Sequence, residues 1–442
     1  MSNHGRHAFV GIIATALLAS SGTAQLLPSL PVPQVNLPVG QVPVAGPALD
    51  QILGNQQTQE VINPTLDSVA GLPDQVAGAG QTTLLNLRRL RLQQMIKENR
   101  RDLEAAEGGV PVRRGVLVAI DPDPASLQLA ARAGFRVIGE ESEPALGLRI
   151  VQLSVPRNMT ARDGLKRLRR AAPALQADYD HVYEPAGGTL LPFAASAVAQ
   201  GGGGGGPRIG IVDGGVAAHP ALSGASIDQH GFAGTPQATG HGTAVASLIV
   251  GDDGAFRGAA RNASLFVADV YGGNRAAGSA TTLVRALGWL AGKRPQVINI
   301  SLVGPANRAV ARAIGAVRAR GISVVAAVGN DGPAAPPQYP ASYPGVVSVT
   351  GVDGKGRALL EAGKAAHLDF AAPGADMAAA LPGKGYTRVR GTSFAAPLAT
   401  ARLALAGSAQ RLAAEARPGK GRVGRGIVCG NCRVEPRSVG AK

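Results

Sequence analysis

The chain of 442 residues contains 61 Gly and 31 Pro, well above average usage, together with 45% hydrophobic residues, so irregular stretches and a sizeable core are both expected. Aromatic residues make up only 3%, which leaves little material for nucleic-acid binding by ring stacking, and no apolar run reaches the roughly 18 residues needed to span a bilayer. The net charge of +15 lies in the second half of the chain and favours anionic partners without specifying one.

The N-terminal segment 1–24 has the features of an export signal. Arg6 precedes an apolar run from Ala8 to Ala19, and the small residues Gly22 and Ala24 follow. A run of this length suits a signal peptide and is too short to cross a membrane. We predict cleavage after Ala24 and export to the periplasm or the cell exterior, with an uncleaved anchor as the alternative.

Two further segments precede the first predicted domain. Residues 25–79 are a Pro-rich spacer without helical or strand periodicity, which predicts an extended, poorly packed chain. Residues 80–107 predict an amphipathic helix, because apolar residues recur near helical spacing among charged and amide side chains. These residues are Leu84, Leu87, Leu92, Met95, Ile96 and Leu103. Packing of this helix on the protein is favoured over packing on a membrane surface.

Residues 108–185 predict a small α+β domain. Its elements follow the order β-α-β-β-α-β, which is typical of a ferredoxin-like unit. They are strand Val116–Ile120, helix Asp123–Ala133, strands Phe135–Gly139 and Leu148–Val155, helix Thr160–Ala171 and strand Tyr179–Tyr183. The next segment, 186–206, ends in six consecutive glycines, which predicts a flexible and protease-accessible linker.

Residues 207–407 predict a single α/β domain with a parallel sheet flanked by helices, because short apolar runs alternate with helical segments. Its predicted strands are Ile209–Val212, Ser264–Val270, Val297–Ser301, Ser323–Val328, Val346–Gly351 and Leu368–Ala371, and its helices are Thr243–Val250, Ala280–Ala291, Asn307–Ala319 and Phe394–Ala406. Residues 408–442 form a basic tail, in which Cys429 and Cys432 predict a local disulfide after export. Two sulfurs without neighbouring histidines do not complete a zinc site.

Four polar residues of this domain stand at positions suited to chemistry. Asp213 ends an apolar strand before two glycines, His241 lies in a Gly-His-Gly-Thr helix start, Asn330 follows a strand, and Ser393 opens an apolar helix. Each has a structural explanation when taken singly, as a turn residue, a helix start or a cap. Their combination is specific, because the order Asp, His, Ser differs from the orders of chymotrypsin-like and α/β-hydrolase enzymes.

With these motifs the sequence resembles the subtilisin-like serine peptidases. The resemblance covers about residues 207–407 and includes a Tyr-Pro-Ala-Ser-Tyr-Pro segment from Tyr339, similar to the family's segment beside the specificity pocket. It departs from the family pattern at Gly214, where Thr or Ser is usual, and at Ala244, where His is usual. Neither departure removes a catalytic group.

The resemblance implies a role for each matching position. Ser393 is expected to be the nucleophile, His241 the general base and acid, and Asp213 the residue that orients the imidazole. Asn330 and the backbone N–H of Ser393 would form the oxyanion hole. Substrate is expected to pair with the groove residues Ser301, Leu302, Val303, Ala327 and Gly329. Val303 replaces a usual glycine, which predicts a narrowed pocket that disfavours large aromatic side chains.

The resemblance also implies partners. Many relatives carry a ferredoxin-like propeptide that assists folding and blocks the cleft, so we expect polypeptide substrates, the chain's own propeptide as intramolecular inhibitor, and self-cleavage between Glu184 and Pro207. No cofactor or metal is assigned from the residues, although calcium is compatible with the resemblance. No specific nucleic acid is expected as a partner. Two alternatives remain open: a catalytically idle binding module, and an adhesin that contacts anionic surfaces through its basic tail.

Overall fold

The computed structural model describes residues 74–186, 192–196, 205–383 and 385–441, with the backbone alone described for 74–79 and 192–196. The predicted signal peptide 1–24, nearly all of the spacer 25–79 and most of the linker 186–206 lie outside these residues. Within them, no helix is both long enough and apolar enough to cross a membrane.

The N-terminal part of the described chain combines one long helix with a small antiparallel sheet. Its elements are α1 (Asp74–Glu98), β1 (Leu103–Ala105), β2 (Pro111–Ile120), α2 (Pro124–Arg132), β3 (Arg136–Glu143), β4 (Leu148–Ser154), α3 (Ala161–Ala171) and β5 (Ala177–His181). The strands are ordered β5-β2-β4-β3, with β1 also pairing to β2. The order β-α-β-β-α-β expected from the sequence is therefore present.

Helix α1 begins and ends earlier than the predicted segment 80–107. Its last turn closes where the amide side chain of Asn99 donates to the Met95 carbonyl, and the Asn99 carbonyl then accepts hydrogen bonds from Asp102 and Leu103. Leu103 is fully buried and lies in strand β1. Its apolar side chain therefore marks a strand and not a continuation of the helix.

The second part of the chain is built on a seven-stranded sheet in which all neighbours are parallel. From one edge to the other its strands are Phe370–Pro373, Val347–Val352, Ser323–Ala327, Val297–Ile300, Arg208–Asp213, Ser264–Asp269 and Ser226–Gly231. Short strands and helices complete it. The elements are β6 (Glu184–Pro185), β7 (Pro192–Ser196), β8 (Arg208–Asp213), β9 (Ser226–Gly231), β10 (Gln237–Thr239), α4 (Gly240–Val250), β11 (Asp252–Asp253), β12 (Phe256–Arg257), β13 (Ser264–Asp269), α5 (Ala280–Lys293), β14 (Val297–Ile300), β15 (Leu302–Val303), α6 (Arg308–Ala319), β16 (Ser323–Ala327), β17 (Val347–Val352), β18 (Phe370–Pro373), β19 (Met377–Leu381), β20 (Gly385–Val389), α7 (Thr392–Ala406) and α8 (Ala409–Ala414).

The helices cover both faces of this sheet, as the apolar strands require. On one face, Leu283 of α5 and Val310 of α6 share an apolar core with Ile298 of β14. On the other, α4 and α7 pack over the strands and against each other. The parallel α/β architecture predicted for this part of the chain is confirmed.

The small antiparallel sheet lies against helices α5 and α6. Val118 and Ile150 belong to the same core as those helices, and two carboxylates of β5 reach the helix starts. Asp180 accepts a hydrogen bond from the Thr281 backbone N–H (2.9 Å), and Asp178 accepts one from the Arg308 backbone N–H (2.9 Å). Negative charge at the first turn of a helix is stabilising, so β5 is electrostatically matched to this surface.

Three features differ from the sequence-based expectation. The edge strand β9 (Ser226–Gly231) escapes the apolar pattern because it pairs on one side only and carries polar residues. Two parts of the predicted linker are structured, since Ala186 is buried and β7 pairs with β10. The predicted tail packs onto the sheet: Val428 is fully buried and donates a backbone hydrogen bond to Ala371 of β18.

Candidate active site

Asp213 lies at the carboxyl end of the interior strand β8, and in a parallel α/β sheet a ligand crevice lies beyond the carboxyl ends of the strands. Its carboxylate is fully buried and accepts a hydrogen bond from the Gly214 backbone N–H (2.7 Å). A Cβ at Gly214 would lie 2.4 Å from Thr239 Oγ1. The close approach of Thr239, which caps helix α4, therefore explains why glycine follows the aspartate here.

His241 occupies the first turn of α4 and faces Asp213. Its Nδ1 lies 2.8 Å from Asp213 Oδ2 and 2.9 Å from Oδ1. The neighbouring Gly242 is needed because a Cβ there would come within 2.3 Å of the Gly214 carbonyl oxygen. The carboxylate thus holds the imidazole with Nδ1 as donor, which leaves Nε2 free to accept a proton.

Ser393 lies in the first turn of α7, after Gly391, whose φ of 138° places it in a conformation that favours glycine. Ser393 Oγ and His241 Nε2 are both buried, and neither has a hydrogen-bond partner among the described residues. The ring of Phe394 lies 5.4 Å from that of His241, so the start of α7 faces the start of α4. Contacts between catalytic groups often tighten only when substrate is bound.

A buried chain of hydrogen bonds holds the backbone at Ser393, and it includes two residues that were not predicted from the sequence, Asn299 and Thr400. Ser301 Oγ donates to the Ser393 carbonyl (2.9 Å) and accepts from Asn299 Nδ2 (2.9 Å), while Thr400 Oγ1 donates to Asn299 Oδ1 (3.1 Å). All four residues are fully buried. An Asn inside the apolar strand β14 was the available signal, because a buried amide needs partners.

Asn330 follows β16 and is oriented by the same helix start. Its Oδ1 accepts a hydrogen bond from the Thr392 backbone N–H (3.0 Å), and its Nδ2 donates to the backbone carbonyl of Ala186. The preceding Gly329 has a φ of 90°, and Thr392 Oγ1 accepts its N–H at 3.1 Å. The amide is therefore fixed with its N–H groups directed at a peptide carbonyl, which is the task of an oxyanion donor.

The segment expected to bind substrate is paired with the chain itself. Strand β15 pairs antiparallel with β6, so that Leu302 lies opposite Pro185 and Val303 opposite Glu184. The Ser301 carbonyl accepts the Ala186 backbone N–H at 2.8 Å. Ala327 and Val303 belong to the same buried apolar cluster as Ala186, and Gly329 lies against Val303. The structure thus brings all nine candidate site residues to one end of the sheet.

The C-terminal Cys429 and Cys432 form the predicted disulfide. Among residues 74–186, 192–196, 205–383 and 385–441, no group of three or more His, Cys, Asp or Glu side chains is placed to hold a metal ion.

Comparison with known proteins identifies relatives of the second part of the chain. A model of the subtilase family matches residues 204–416. The alkaline protease of Alkalihalobacillus alcalophilus is 33% identical over 199 residues, 44% of this chain and 52% of its own length. Subtilisin Savinase of Lederbergia lenta is 32% identical over 199 residues, 44% of this chain and 73% of its own length. The match thus spans only about half of the first of these two relatives.

A solved structure extends the likeness of the fold beyond that region. Fervidolysin from Fervidobacterium pennivorans, described as a keratinolytic enzyme related to subtilisin, superposes with a TM-score of 0.60 over 75% of this chain and 62% of its own, at 20% identity. At this identity the likeness concerns the fold alone.

Proposed function

Because the chain belongs to the subtilase family of serine peptidases, we propose that it is an exported serine endopeptidase made as a zymogen, with Asp213, His241 and Ser393 as its catalytic residues. One observation supports this proposal above the others. The buried Asp213–His241 pair, the unpartnered hydroxyl of Ser393 and the amide of Asn330 lie at the groove in which the Ala186 carbonyl is held.

The geometry accounts for hydrolysis of a peptide bond. A neutral hydroxyl is a poor nucleophile, so His241 Nε2 takes the Ser393 proton as Oγ attacks the scissile carbonyl, and it later passes that proton to the leaving amine. Asp213 holds the imidazole in the required tautomer and stabilises its charged form. The Asn330 side chain and the Ser393 backbone N–H receive the developing oxyanion, and water then hydrolyses the acyl-enzyme.

The N-terminal part of the chain fits the role of propeptide. It covers α5 and α6 and fills the groove up to Ala186, so peptide substrates are excluded while it stays in place. Export rests on the signal-like segment 1–24 alone.

Labelling with a fluorophosphonate, which modifies only an activated serine, tests this function. We expect the processed protein to be labelled and to hydrolyse peptides, whereas the Ser393→Ala and His241→Ala variants should stay at full length and unlabelled. Circular dichroism of both variants checks that they fold. A folded, processed protein that resists labelling would contradict the proposal and favour an idle binding module.

A further inference from the structure

The chain enters its own groove in one defined register. Downstream of β5, the Tyr183 backbone N–H donates to the Gly278 carbonyl (2.7 Å), β6 pairs with β15, and the Ala186 N–H donates to the Ser301 carbonyl (2.8 Å). Ala186 is the last residue of this run that the structure describes, and its carbonyl accepts a hydrogen bond from the Asn330 amide.

Tyr183 anchors this register. It is fully buried, and its hydroxyl donates to the Pro305 carbonyl at 3.0 Å. A Cβ at Gly304 would lie 2.5 Å from the Tyr183 ring, so only glycine leaves space for it. A slip of one residue would remove the ring from this site and turn each side chain to the opposite face.

The geometry points to the bond between Ala186 and Gly187 as the bond that the enzyme cuts in its own chain, and to Val303 as the residue that restricts its substrates to small side chains before the cleaved bond. This inference rests on the proposed function, and it adds the bond and the substrate class.

The groups already present in the site, together with one water molecule, account for every bond and proton in the reaction at this bond. Ser393 Oγ bonds to the Ala186 carbonyl carbon, its proton moves to His241 Nε2, and the C–N bond to Gly187 breaks as that proton passes to the nitrogen of Gly187. Water then attacks the ester and loses a proton to His241, which restores the Ser393 hydroxyl. The products are a carboxylate at Ala186 and a free amine at Gly187.

The side chain of Ala186 lies in a closed site. Ala186 is 3% exposed and shares an apolar cluster with Val303, which is 6% exposed, and with the fully buried Ala327. The segments 301–303 and 327–329 flank this site. The Val303 side chain reaches from the first segment to the second, since its Cγ1 would lie only 3.2 Å from a Cβ added at Gly329. Because this site is closed and Val303 belongs to its lining, we expect a larger side chain at 186 to be crowded out.

The mass of the released N-terminal fragment tests the bond. We expect its last residue to be Ala186 from the earliest time at which the fragment appears, before any trimming of a longer fragment could produce that end. A fragment ending elsewhere, from a protein that fluorophosphonate labels, overturns this inference and leaves the proposed function standing. Absence of labelling and of cleavage defeats the proposed function itself.

Substitutions test the role of Val303. Ala186→Phe should slow processing by at least about tenfold, Ala186→Ser should process like the parent protein, and Val303→Gly should restore processing of the Phe variant. If Val303→Gly does not fold, the substrate preference can still be measured with the parent mature enzyme. The two peptides to compare are Tyr-Glu-Pro-Ala-Gly and Tyr-Glu-Pro-Phe-Gly. We expect kcat/KM to favour the first by at least about tenfold, and equal values would overturn the assignment.

Discussion

Asn330 shows how one side chain can be fixed by a distant element. Its amide oxygen is held by the backbone at Thr392, the first residue of α7, and its amide nitrogen is thereby aimed at the Ala186 carbonyl. The helix that carries the proposed nucleophile Ser393 therefore also orients the proposed oxyanion donor Asn330. A preorganised donor of this kind acts on charge that develops only in the transition state.

The Asn330→Ala variant should lose kcat with little change in KM. Removing the corresponding type of donor in a subtilisin lowers kcat by roughly 10²–10³-fold, and we expect a similar loss here. Steady-state kinetics on a peptide substrate measure both constants. A rise in KM with unchanged kcat would contradict the role and indicate ground-state binding instead.

At the scale of elements, helix α1 forms ion pairs both with strand β6 and with the residue that follows Asn330. Arg88 Nε lies 3.1 Å from Asp331 Oδ2, and Arg91 pairs with both Asp331 (3.0 Å) and Glu184 (3.3 Å). Asp331 follows Asn330 directly, and Glu184 lies in β6. These pairs are largely shielded on the acidic side, so they are stronger than exposed pairs.

If the N-terminal part of the chain acts as the proposed propeptide, the double variant Arg88→Ala, Arg91→Ala should release it sooner after cleavage. We expect the lag before peptide hydrolysis to shorten severalfold, and added salt to shorten the lag of the parent protein more than that of the variant. Arg89→Ala, an exposed change on the same helix, is the matched control. An unchanged lag in the double variant would show that α1 does not hold the segment.

Strand β3 meets helix α5 through a partly buried carboxylate. Glu143 lies so close to Gly288 that a Cβ there would be 1.9 Å from Glu143 Oε2. Burial raises the pKa of Glu143 from its ordinary 4.5 to about 7, with Arg285 opposing and Glu141 adding to the effect. The folded precursor thus keeps this proton where the unfolded chain has lost it, so its stability falls as pH rises through that range.

We expect Glu143→Gln to remove this part of the pH dependence. In the full-length Ser393→Ala background, the melting temperature should decline from about pH 5 to about pH 8 less steeply in the Glu143→Gln variant than in its parent. The difference between the slopes of the two proteins isolates the contribution of Glu143, because both proteins contain the same histidines, including His181. Glu98→Gln, an exposed change, should leave the slope unaltered, and equal slopes in all three proteins would contradict the assignment.

At the scale of the whole molecule, the basic C-terminal segment completes the sheet. Ala371 in edge strand β18 donates to the Gly426 carbonyl (2.9 Å) and accepts from the Val428 N–H (2.8 Å). Leu412 and Val428 are fully buried. An uncovered edge strand is prone to pair with other chains, so this segment protects the fold.

Val428→Asp should therefore destabilise the protein by about 3 kcal/mol or more, because it places an unpaired charge in an apolar cluster. Urea unfolding of the Ser393→Ala precursor measures the change. Arg422→Asp, which introduces the same side chain at an exposed position of this segment, should have little effect. Equal destabilisation by the two substitutions would mean that the segment acts through its charge.

Much of the site and the fold follows from local patterns. Asp213 ends an apolar strand, His241 and Ser393 open helices, and six of the seven parallel strands stand out as apolar runs because both of their faces are buried. The edge strand Ser226–Gly231 lacks that signal, and the partners of Ser301 and Asn299 lie about a hundred residues away along the chain. Patterns over ten residues carry no information on such distant contacts.

The sequence by itself determined which groups could carry the chemistry and the order in which the elements follow one another, since both depend on residue type and short-range periodicity. Only the tertiary structure decided that Ala186 would lie at Asn330 and that α1 would cover the neighbouring Asp331. The physical reason is that the groove recognises backbone N–H and C=O groups, which every residue except proline presents alike. The position of a segment in the groove therefore depends on how the domains dock and on side-chain contacts such as that of Tyr183 with Gly304, which join residues far apart along the chain.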